Sequence, residues 1–509
     1  MTPLFAPTQV RAMDEAAIAA GTPSLTLMER AAGHLARTTT DVAGAAYGVR
    51  VAVLCGKGNN GGDGIAAARR LRAAGAWPVV CLLADPDDLS DDAAVQLRRW
   101  RAVGGRVTDS VPDALRSADV IVDCLLGTGA TGAPRAPYDT AIDQLNAHDA
   151  PVVACDLPSG VNADTGAVVA QAVNAVVTLS LGAHKRGLAL WPARGHVGEL
   201  RLGDIGIRPA DDAPAAHLVD ADDVAAVLRA PSAAADKRAR GVVVIVAGSD
   251  DMSGAAVLAA RGALAAGAGL VTVATTTLAR HFVAPNVPEA MTLALPDDDP
   301  DEAFARVADA CAQADALAIG PGIGHDDPQV RLVRRCVAEL DVPTVLDADG
   351  CNAFRHDAAA LAEHCTPDLV LTPHRAELTR IADPDDAGEL WERRIETVPE
   401  LAGEWGATIV AKGPGTVTAA PDGRVWVNAT GTPALATGGT GDVLTGMTVA
   451  ALAAGRDPAR VAATVALHGL AGRVAAEWRD VRSVTSLDVA TAVPTALRRA
   501  MKAASGHAP

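Results

Sequence analysis

The chain has little positive charge and few aromatic side chains for its 509 residues. Its 44 lysines and arginines stand against 61 aspartates and glutamates, which gives a formal net charge of −17 at pH 7. A protein that reads a phosphate backbone would carry basic stripes, and stacking platforms for bases or sugars would need more than 3% aromatic residues. The composition therefore argues against nucleic-acid recognition, and we expect no nucleic-acid partner.

The sequence also has no closely spaced cysteines and no long apolar run. The eight cysteines are scattered, and the closest two, Cys351 and Cys365, are 14 residues apart, which fits no zinc or redox motif. The longest uncharged stretch, 18 residues between Arg261 and Arg280, holds three glycines and four threonines and is typical of a helix end, a turn and a strand. Residues 1–7 contain neither a basic nor a long apolar segment. We expect a cytoplasmic protein with free thiols and no membrane partner.

Short apolar runs alternate with helical stretches along most of the chain. This pattern is typical of a parallel α/β sheet buried on both faces. It stops in a segment rich in Pro, Ala and Asp between residues 208 and 240 and then resumes, which predicts two α/β domains, 1–212 and 218–500, joined near residues 210–220. The predicted strands are 50–55, 77–83, 120–122, 151–155, 175–179, 241–248, 343–347, 369–372 and 408–411.

A glycine loop follows the first of these strands. Residues 56–61 read Gly-Lys-Gly-Asn-Asn-Gly, which fits the dinucleotide-binding pattern G-x-G-x-x-G and also fits a strand-to-helix turn without a ligand. The loop continues as Asn59-Asn-Gly-Gly-Asp-Gly64, and a carboxylate at this place would repel a pyrophosphate. Amide and carboxylate oxygens suit instead a hard cation or a ligand with hydroxyl and amide groups.

Two further strand ends carry aspartates. Asp123 precedes a second glycine loop at residues 127–132, and Asp156 lies in the sequence Cys155-Asp-Leu-Pro-Ser-Gly160. The carboxyl ends of parallel strands meet at one edge of a sheet, where ligands bind. Each aspartate alone could be a helix cap or a turn residue, but three converging loops favour a binding site.

The second half contains Ala436-Thr-Gly-Gly-Thr-Gly-Asp-Val-Leu444, followed by an apolar helix to about residue 454. Successive backbone N–H groups at a helix start form an anion hole that suits a transferring phosphoryl group. Asp442 beside that hole could remove a proton from an attacking hydroxyl, or it could simply cap the helix.

Other loops in this half precede or follow predicted strands. Lys412-Gly-Pro-Gly-Thr416 could wrap a nucleotide, although Lys-Gly turns after strands are common. His374, with Glu377 three residues on, is either structural or part of the pocket. The loop at 320–324 and the turn at 248–256 complete the expected rim of strand ends.

The motifs of the first half resemble the NAD(P)H-hydrate epimerase domain over about residues 8–207. The resemblance implies a Rossmann-like doubly wound sheet, a K⁺ site at Asn60, Asp123 and Ser159, and Asp156 as an acid that contacts the substrate. Because inversion of the hydrated ring needs proton transfer by a positioned group, Asp156 is also the candidate catalytic acid/base. Lys185, in Lys185-Arg-Gly-Leu188, is either an electrostatic helper of Asp156 or a surface lysine. The residues that the resemblance assigns to substrate binding are Asn60, Gly61, Gly62, Asp63, Gly64, Gly127, Thr128, Gly129, Ala130, Thr131, Gly132, Ala133 and Asp156.

The motifs of the second half resemble the ribokinase-like superfamily, and within it the ADP-dependent NAD(P)H-hydrate dehydratase domain, over about residues 218–495. The resemblance implies ADP as co-substrate, Mg²⁺ at the site and Asp442 as a catalytic residue. It assigns the hydrated cofactor to Ala255, Gly322, His374 and Asp442. It assigns the adenine nucleotide to Lys412, Gly413, Pro414, Gly415, Thr416 and Gly441.

Together the halves predict a bifunctional repair enzyme that epimerises hydrated NADH or NADPH and dehydrates the S form with ADP. The products would be AMP, phosphate and the reduced cofactor. Two alternatives stay open: a ribokinase-like small-molecule kinase, which would leave a stable phosphoester, and a non-catalytic binding module. The resemblance also suggests a homo-oligomer.

Overall fold

The apolar runs of the first half form a parallel sheet in which the first long strand, residues 50–55, lies inside the sheet and not at an edge. The computed structural model describes residues 1–209, 213–228, 232 and 234–504. The chain divides into an N-terminal unit, Pro3–Ala216, and a C-terminal unit, His217–Pro509 together with Met1–Thr2. The predicted boundary at residue 212, and residues 210–212 of the predicted junction, lie outside the described residues.

Up to residue 203, strands alternate with helices. The strands are β1 (Thr2–Phe5), β2 (Arg50–Cys55), β3 (Trp77–Leu82), β4 (Arg106–Thr108), β5 (Val120–Cys124), β6 (Val152–Cys155), β7 (Val177–Leu181), β8 (His184–Lys185) and β9 (Glu199–Gly203). The helices are α1 (Pro7–Ala19), α2 (Ser24–Ala43), α3 (Asn59–Ala73), α4 (Asp91–Ala102), α5 (Val111–Leu115), α6 (Tyr138–Asn146) and α7 (Arg194–Val197).

The main sheet of the N-terminal unit has the order β4-β3-β2-β5-β6-β7-β9, and every neighbouring pair is parallel. The chain moves outward from β2 through β3 to β4, and then crosses to β5 on the other side of β2. This order makes the unit a Rossmann-like doubly wound fold, as predicted. Since the loops after β2 and β5 leave in opposite directions, a cleft forms between them, and ligands bind at such switch points.

Strict alternation along β2 accounts for the two layers of helices. Val51, Val53 and Cys55 belong to a core shared with residues of α1 to α4, whereas Ala52 and Leu54 belong to a core shared with α5 and α6. Successive side chains of a strand point to opposite faces, so a run of apolar residues buries both faces at once.

The C-terminal unit continues the alternation. Its strands are β10 (Ala216–Val219), β11 (Val242–Val246), β12 (Leu270–Thr276), β13 (Met291–Leu295), β14 (Ala316–Ile319), β15 (Thr344–Leu346), β16 (Leu369–Leu371), β17 (Thr408–Ala411), β18 (Val417–Ala419) and β19 (Val425–Asn428). Its helices are α8 (Ala221–Val227), α9 (Ser253–Ala266), α10 (Thr277–Asn286), α11 (Pro300–Cys311), α12 (Asp327–Glu339), α13 (Asp349–Asn352), α14 (Ala358–His364), α15 (Arg375–Ala382), α16 (Ala387–Glu392), α17 (Arg394–Trp405), α18 (Thr440–Ala453), α19 (Pro458–Ala475) and α20 (Ser486–Ala504).

These strands lie in the order β13-β12-β11-β14-β15-β16-β17-β18-β19-β10. Pairing is parallel from β13 to β17 and antiparallel at β17-β18 and β18-β19. The order again changes direction between β11 and β14, so the loops after these strands face a common edge. This is the predicted ribokinase-like α/β arrangement.

Helix α18 is buried along most of its length and packs closely against α9 through two glycines. A Cβ atom added to Gly446 would lie 1.8 Å from the carbonyl oxygen of Ala259, and one added to Gly262 would lie 2.2 Å from that of Val443. Only glycine permits backbones to approach this closely. This contact fixes the position of α18 and therefore also the position of Asp442 in its first turn.

The nine predicted strands coincide with observed strands to within one or two residues at each end. The predicted strand 241–248 is shorter in the structure because Gly241 and Gly248 have φ angles of 95° and 79°, which end the extended backbone. The long uncharged stretch forms the end of α9, a turn and β12, as predicted. Within the described residues, every helix is too short or too polar to cross a membrane.

Candidate functional sites

A cavity of about 670 Å³ lies in the N-terminal unit, at the carboxyl ends of the central strands. The loops after β2, β5 and β6 all contribute to its wall, through residues such as Asn60, Gly127 and Asp156. The three loops that the sequence singled out therefore do converge on one site. Of the predicted substrate-binding residues, those that line the cavity are Asn60, Asp63, Gly127, Thr128, Gly129, Ala130 and Asp156.

Three glycines of the first loop, Gly61, Gly62 and Gly64, lie behind the cavity wall. Residues 59–64 form the first turns of α3, and Gly61, Gly62 and Gly64 are buried. An added Cβ atom at Gly61 would lie 2.0 Å from the carbonyl oxygen of Gly56, and one at Gly64 would lie 2.7 Å from Sγ of Cys124. These glycines thus let α3 pack directly on the strand ends. Thr131, Gly132 and Ala133 follow the lining part of their loop and also lie outside the cavity wall.

Lys185 lies beneath the cavity and forms an ion pair with Asp156. Its side chain is 1% exposed, so the surface-lysine interpretation is wrong. The ammonium group donates to Oδ1 of Asp156 and, over 2.8 Å, to the carbonyl oxygen of Leu181. Asp156 has a φ of 68° and also accepts a hydrogen bond of 3.0 Å from the backbone N–H of Leu181. The strand end therefore holds the carboxyl group of Asp156 in a defined orientation toward the cavity.

Two more carboxyl groups line the same cavity. Burial raises the pKa of Asp63 well above its ordinary value, and the nearby charges of Asp156 and Asp14 add to this effect. The pKa of Asp14 is also raised, chiefly by burial, although the charge of Lys185 opposes the rise. Asp14 lies on α1, far from any glycine loop, and the sequence analysis missed it because only the fold brings α1 to this cavity.

The three residues of the predicted cation site lie around the carbonyl group of Leu126. Nδ2 of Asn60 donates to that oxygen over 2.9 Å, and Oγ of Ser159 lies 3.5 Å from it. Ser159 donates to the buried Asp123 through its hydroxyl (2.7 Å) and its backbone N–H (2.8 Å). Burial raises the pKa of Asp123 to about 6.

Oδ1 of Asn60 is buried and has no hydrogen-bond partner among the described residues. A buried carbonyl oxygen without a donor is costly, and a cation bound by oxygen atoms would satisfy it. Within the described residues, no group of three or more His, Cys, Asp or Glu side chains could hold a metal ion. The donors here are instead one carboxylate with amide, hydroxyl and carbonyl oxygens, which suits a hard cation of low charge.

The second site lies at the corresponding edge of the C-terminal unit. Lys412, directly after β17, donates to Oδ1 of Asp347, which follows β15 and is 1% exposed. Oδ2 of Asp347 accepts a hydrogen bond of 2.6 Å from the hydroxyl of Thr445 on α18. A Cβ atom added to Gly441 would lie 3.4 Å from Nζ of Lys412, so the ammonium group lies beside the start of α18.

Asp442 occupies the first turn of α18 but does not cap it. The N-cap residue is Gly439, with a φ of 87°, and no side chain caps the helix, so the capping interpretation is wrong. Burial raises the pKa of Asp442 to about 7, the charge of Asp347 adds to the rise, and Lys412 opposes it. A carboxyl group with this pKa can both accept and release a proton near neutral pH.

The remaining predicted contacts surround this helix start. A Cβ atom added to Gly322, which has a φ of 65°, would lie 2.9 Å from Cβ of Ala255, so these two predicted residues are neighbours. His374 caps α15, because its Nδ1 accepts from the N–H groups of Ala376 (3.1 Å) and Glu377 (3.2 Å). Its side chain is still 51% exposed and lines a groove together with Lys412.

The loop that begins with Lys412 closes on itself and is supported by a neighbouring helix. The hydroxyl of Thr416 donates to the carbonyl oxygen of Gly413 over 2.9 Å, and Gly415 has a φ of 68°. Nη2 of the buried Arg394 on α17 donates to the carbonyl oxygen of Pro414 over 3.2 Å. Sequence analysis missed Arg394 and Asp347, because neither lies in a glycine motif.

The folds and sites define the class of the protein: an enzyme in which a Rossmann-like unit precedes a ribokinase-like unit, each with an acidic site at the carboxyl edge of its sheet. Residues 24–187 match the family described as YjeF-related protein N-terminus, and residues 243–495 match the family described as NAD(P)H-hydrate dehydratase. The chain is 38% identical to the bifunctional NAD(P)H-hydrate repair enzyme Nnr of Moorella thermoacetica, over 94% of this chain and 93% of the relative. It is also 38% identical to the enzyme of the same name from Salinibacter ruber, over 93% of this chain and 92% of the relative. The chain belongs to the family of bifunctional NAD(P)H-hydrate repair enzymes.

Among solved structures, the ADP/ATP-dependent NAD(P)H-hydrate dehydratase of Bacillus subtilis is 32% identical to the chain. It covers 56% of this chain and 99% of its own length, with a TM-score of 0.49. The prediction of a fused repair enzyme is confirmed by the full-length relatives.

Proposed function

We propose that the N-terminal unit interconverts the R and S epimers of hydrated NADH or NADPH, and that the C-terminal unit dehydrates the S epimer with ADP. We assign the first activity to residues 1–212 and the second to residues 218–500. The observation that carries the proposal is the helix start at Gly441, where an ammonium group and a carboxyl with a pKa of about 7 lie side by side. Phosphoryl transfer to a hydroxyl needs this combination of a base and an anion hole.

For the epimerase, inversion at C6 of the hydrated ring requires the hydroxyl group to leave and return, or the ring to open. Either route needs proton transfer by a positioned group. Asp156 is the acid/base in this proposal, because it lines the cavity and is held by Lys185 and the N–H of Leu181. The loops at 60–64 and 127–133 would bind the substrate around it.

Asn60, Asp123 and Ser159 would hold K⁺, since the unpartnered oxygen of Asn60 fits an oxygen-bound cation. When bound, K⁺ would supply positive charge close to the substrate loops. The protein's own contribution is to keep Asn60 and Ser159 around the carbonyl group of Leu126, which joins the loop after β5 to the loop after β6.

For the dehydratase, Asp442 would remove the proton from the C6 hydroxyl as its oxygen attacks the β-phosphorus of ADP and AMP leaves. The N–H groups at the start of α18 and the ammonium of Lys412 would stabilise the charge on the transferring group. Phosphate then leaves C6 and a proton leaves C5, which restores the dihydronicotinamide ring. Ala255, Gly322 and His374 would contact the hydrated cofactor.

The loop Lys412, Gly413, Pro414, Gly415 and Thr416, with Gly441, would hold the adenine nucleotide. Mg²⁺ would be bound mainly by the phosphates of ADP, since such ions usually take only one or two carboxylates from the protein. A cytoplasmic location and a homo-oligomer stay predictions, to be checked by cell fractionation and light scattering.

Product analysis tests the C-terminal assignment against the kinase alternative. Incubation with the S epimer of hydrated NADH and ADP should give AMP, inorganic phosphate and the absorbance of NADH in equal amounts. A phosphoester that accumulates without recovery of NADH would instead support a small-molecule kinase. A variant with Asp442→Asn is the control for spontaneous dehydration.

A further inference from the structure

Asp63 and Asp156 line the same cavity but have opposite surroundings. Asp156 forms an ion pair with Lys185 and accepts a backbone hydrogen bond from Leu181. Asp63, on α3, is 9% exposed, and the hydrogen bonds and ion pairs of the described residues include none to its carboxyl group. One carboxyl group is thus ion-paired with a buried lysine, whereas the other lines the cavity with no ion pair or hydrogen bond to a described residue.

The charges that face Asp63 come from several elements. Asp156 after β6, Asp14 on α1 and Asp92 on α4 are acidic, and Lys185 on β8 is the basic group near it. Burial is the main cause of the raised pKa of Asp63, the three acidic groups add to it, and Lys185 opposes it. A carboxyl group whose pKa is raised in this way is suited to donate a proton, as an acid catalyst must.

We propose that Asp63 is a second catalytic residue of the epimerase, the general acid that protonates the departing C6 hydroxyl while Asp156 acts as the base. This inference rests on the proposed epimerase function. Two carboxyl groups with opposite surroundings in one site are the arrangement by which enzymes divide acid and base roles.

The inversion needs only the substrate, water and the two carboxyl groups. The proton of Asp63 moves to the C6 hydroxyl, the C6–O bond breaks, and the electron pair of the ring nitrogen forms an N1=C6 double bond as water leaves. A water molecule then adds to the opposite face of C6, the double bond's electrons return to the nitrogen, and Asp156 takes the proton of that water. After one inversion Asp63 has lost a proton and Asp156 has gained one. The reverse reaction returns both protons, and when turnovers follow each other in the same direction, exchange with solvent does so.

The test uses the full-length chain without ADP, so that dehydration does not occur, and follows the two epimers of hydrated NADH by chromatography. Asp63→Asn keeps the shape and the neutral charge but has no acidic proton. We expect kcat to fall about 10²–10⁴-fold with little change in KM. Asp63→Glu keeps an acid and should recover part of the rate. Asp87→Asn, an exposed carboxyl outside the cavity, is the matched control.

Two readouts separate catalysis from a structural role. In water enriched with ¹⁸O, the wild-type enzyme should incorporate one labelled oxygen at C6 for each inversion. Its rate should fall at alkaline pH as Asp63 loses its proton, and this fall should be absent from the residual rate of Asp63→Asn. Inversion without label would show ring opening and overturn the step, and a wild-type rate in Asp63→Asn would overturn the role of Asp63.

Failure of the proposed function would look different. In that case the wild-type chain itself would not accelerate inversion over the enzyme-free rate. If the Asp63→Asn variant does not fold, the epimerisation rate of Asp63→Glu is compared with that of wild type to test the acid role of Asp63. A Glu variant that is folded, keeps wild-type dehydratase activity and still inverts the epimers no faster than the enzyme-free reaction would contradict an acid role for Asp63.

Discussion

Each of the two sites of this chain contains an ion pair between a lysine and an aspartate, but the two ion pairs have different roles. In each unit a lysine forms an ion pair with an aspartate at the carboxyl end of a strand, Lys185 with Asp156 and Lys412 with Asp347. In each unit a further carboxyl group has a raised pKa, Asp63 in one and Asp442 in the other. The resemblance is chemical, since the sheets and motifs around the pairs differ.

The difference lies in which member of the pair faces the ligand. The side chain of Asp156 is 15% exposed and its lysine 1%, whereas Asp347 is 1% exposed and its lysine 19%. In the N-terminal unit the carboxylate thus meets the cavity, and the lysine supports it from below. In the C-terminal unit the ammonium meets the site, beside the N–H groups of α18, and the aspartate positions it. Proton transfer needs a carboxylate that can reach the substrate, whereas phosphoryl transfer needs a cation that can reach the transferring group.

The largest effect is expected from Asp442→Asn. An amide cannot take the hydroxyl proton, so dehydratase turnover should fall about 10²–10⁴-fold, while ADP binding measured by calorimetry changes little. Epimerase activity of the same sample is the internal control. Turnover close to wild type would remove Asp442 from the role of base.

The same carboxyl group predicts the pH profile of the wild-type dehydratase. Because a base must be ionised and the pKa of Asp442 is raised to about 7, the rate should rise about tenfold per pH unit below that value and level off above it. A rate that is flat between pH 5 and 8 would contradict the assignment.

Asp347→Asn should affect stability as well as activity. The change leaves Lys412 partly buried without its counter-charge, and breaking such a pair costs about 3–5 kcal/mol. We expect an earlier urea unfolding transition of the C-terminal unit and a raised KM for ADP, with epimerase activity retained below the transition. Equal losses of both activities would show that the pair does not act locally.

A smaller effect is expected from Asp123→Asn. Wild-type epimerase activity should rise with KCl and saturate, whereas the variant should need at least about tenfold more K⁺ or show no response. Choline chloride at equal ionic strength is the control. An unchanged response to K⁺ would place the cation elsewhere.

The smallest effect concerns packing beneath the cavity. Gly64→Ala brings a Cβ atom within 2.7 Å of Sγ of Cys124, and overpacking of this kind costs about 1–3 kcal/mol. Gly129→Ala is the matched control for stability, because an added Cβ atom there meets nothing within 4 Å. Denaturant titration of both variants decides whether these glycines serve packing.

The sequence alone could predict the features that depend on residues close together in the chain. The strand ends, the glycine loops and the place of Asp442 in a helix start follow from patterns within about ten residues, and each is present in the structure. The two readings of Lys185 could not be separated, because burial of a single lysine depends on the β1–β8 pairing that lies around it. Asp14 and Asp347 were missed for the same reason: each joins its site through contacts between elements distant in sequence.

The glycines of residues 59–64 show the opposite case, in which the sequence identified the place of the site but not the role of each residue. Residues 59–64 were interpreted as a ligand-binding loop, but the structure places three of the glycines against backbone and sulfur atoms behind the cavity. Asn59, Asn60 and Asp63 are the members of that motif that line the cavity. A motif therefore identifies a site more reliably than it identifies which of its residues touch a ligand.

Recovery of NADH from a mixture of both epimers requires this chain to carry both activities. An equal mixture of the two epimers of hydrated NADH is incubated with the protein, ADP, Mg²⁺ and K⁺, and NADH absorbance is followed to completion. We expect full recovery for wild type, recovery of about half followed by the slow spontaneous phase for Asp156→Asn, and recovery slowed about 10²–10⁴-fold for Asp442→Asn. Wild-type recovery that stops at half, or full and rapid recovery with Asp156→Asn, would contradict it.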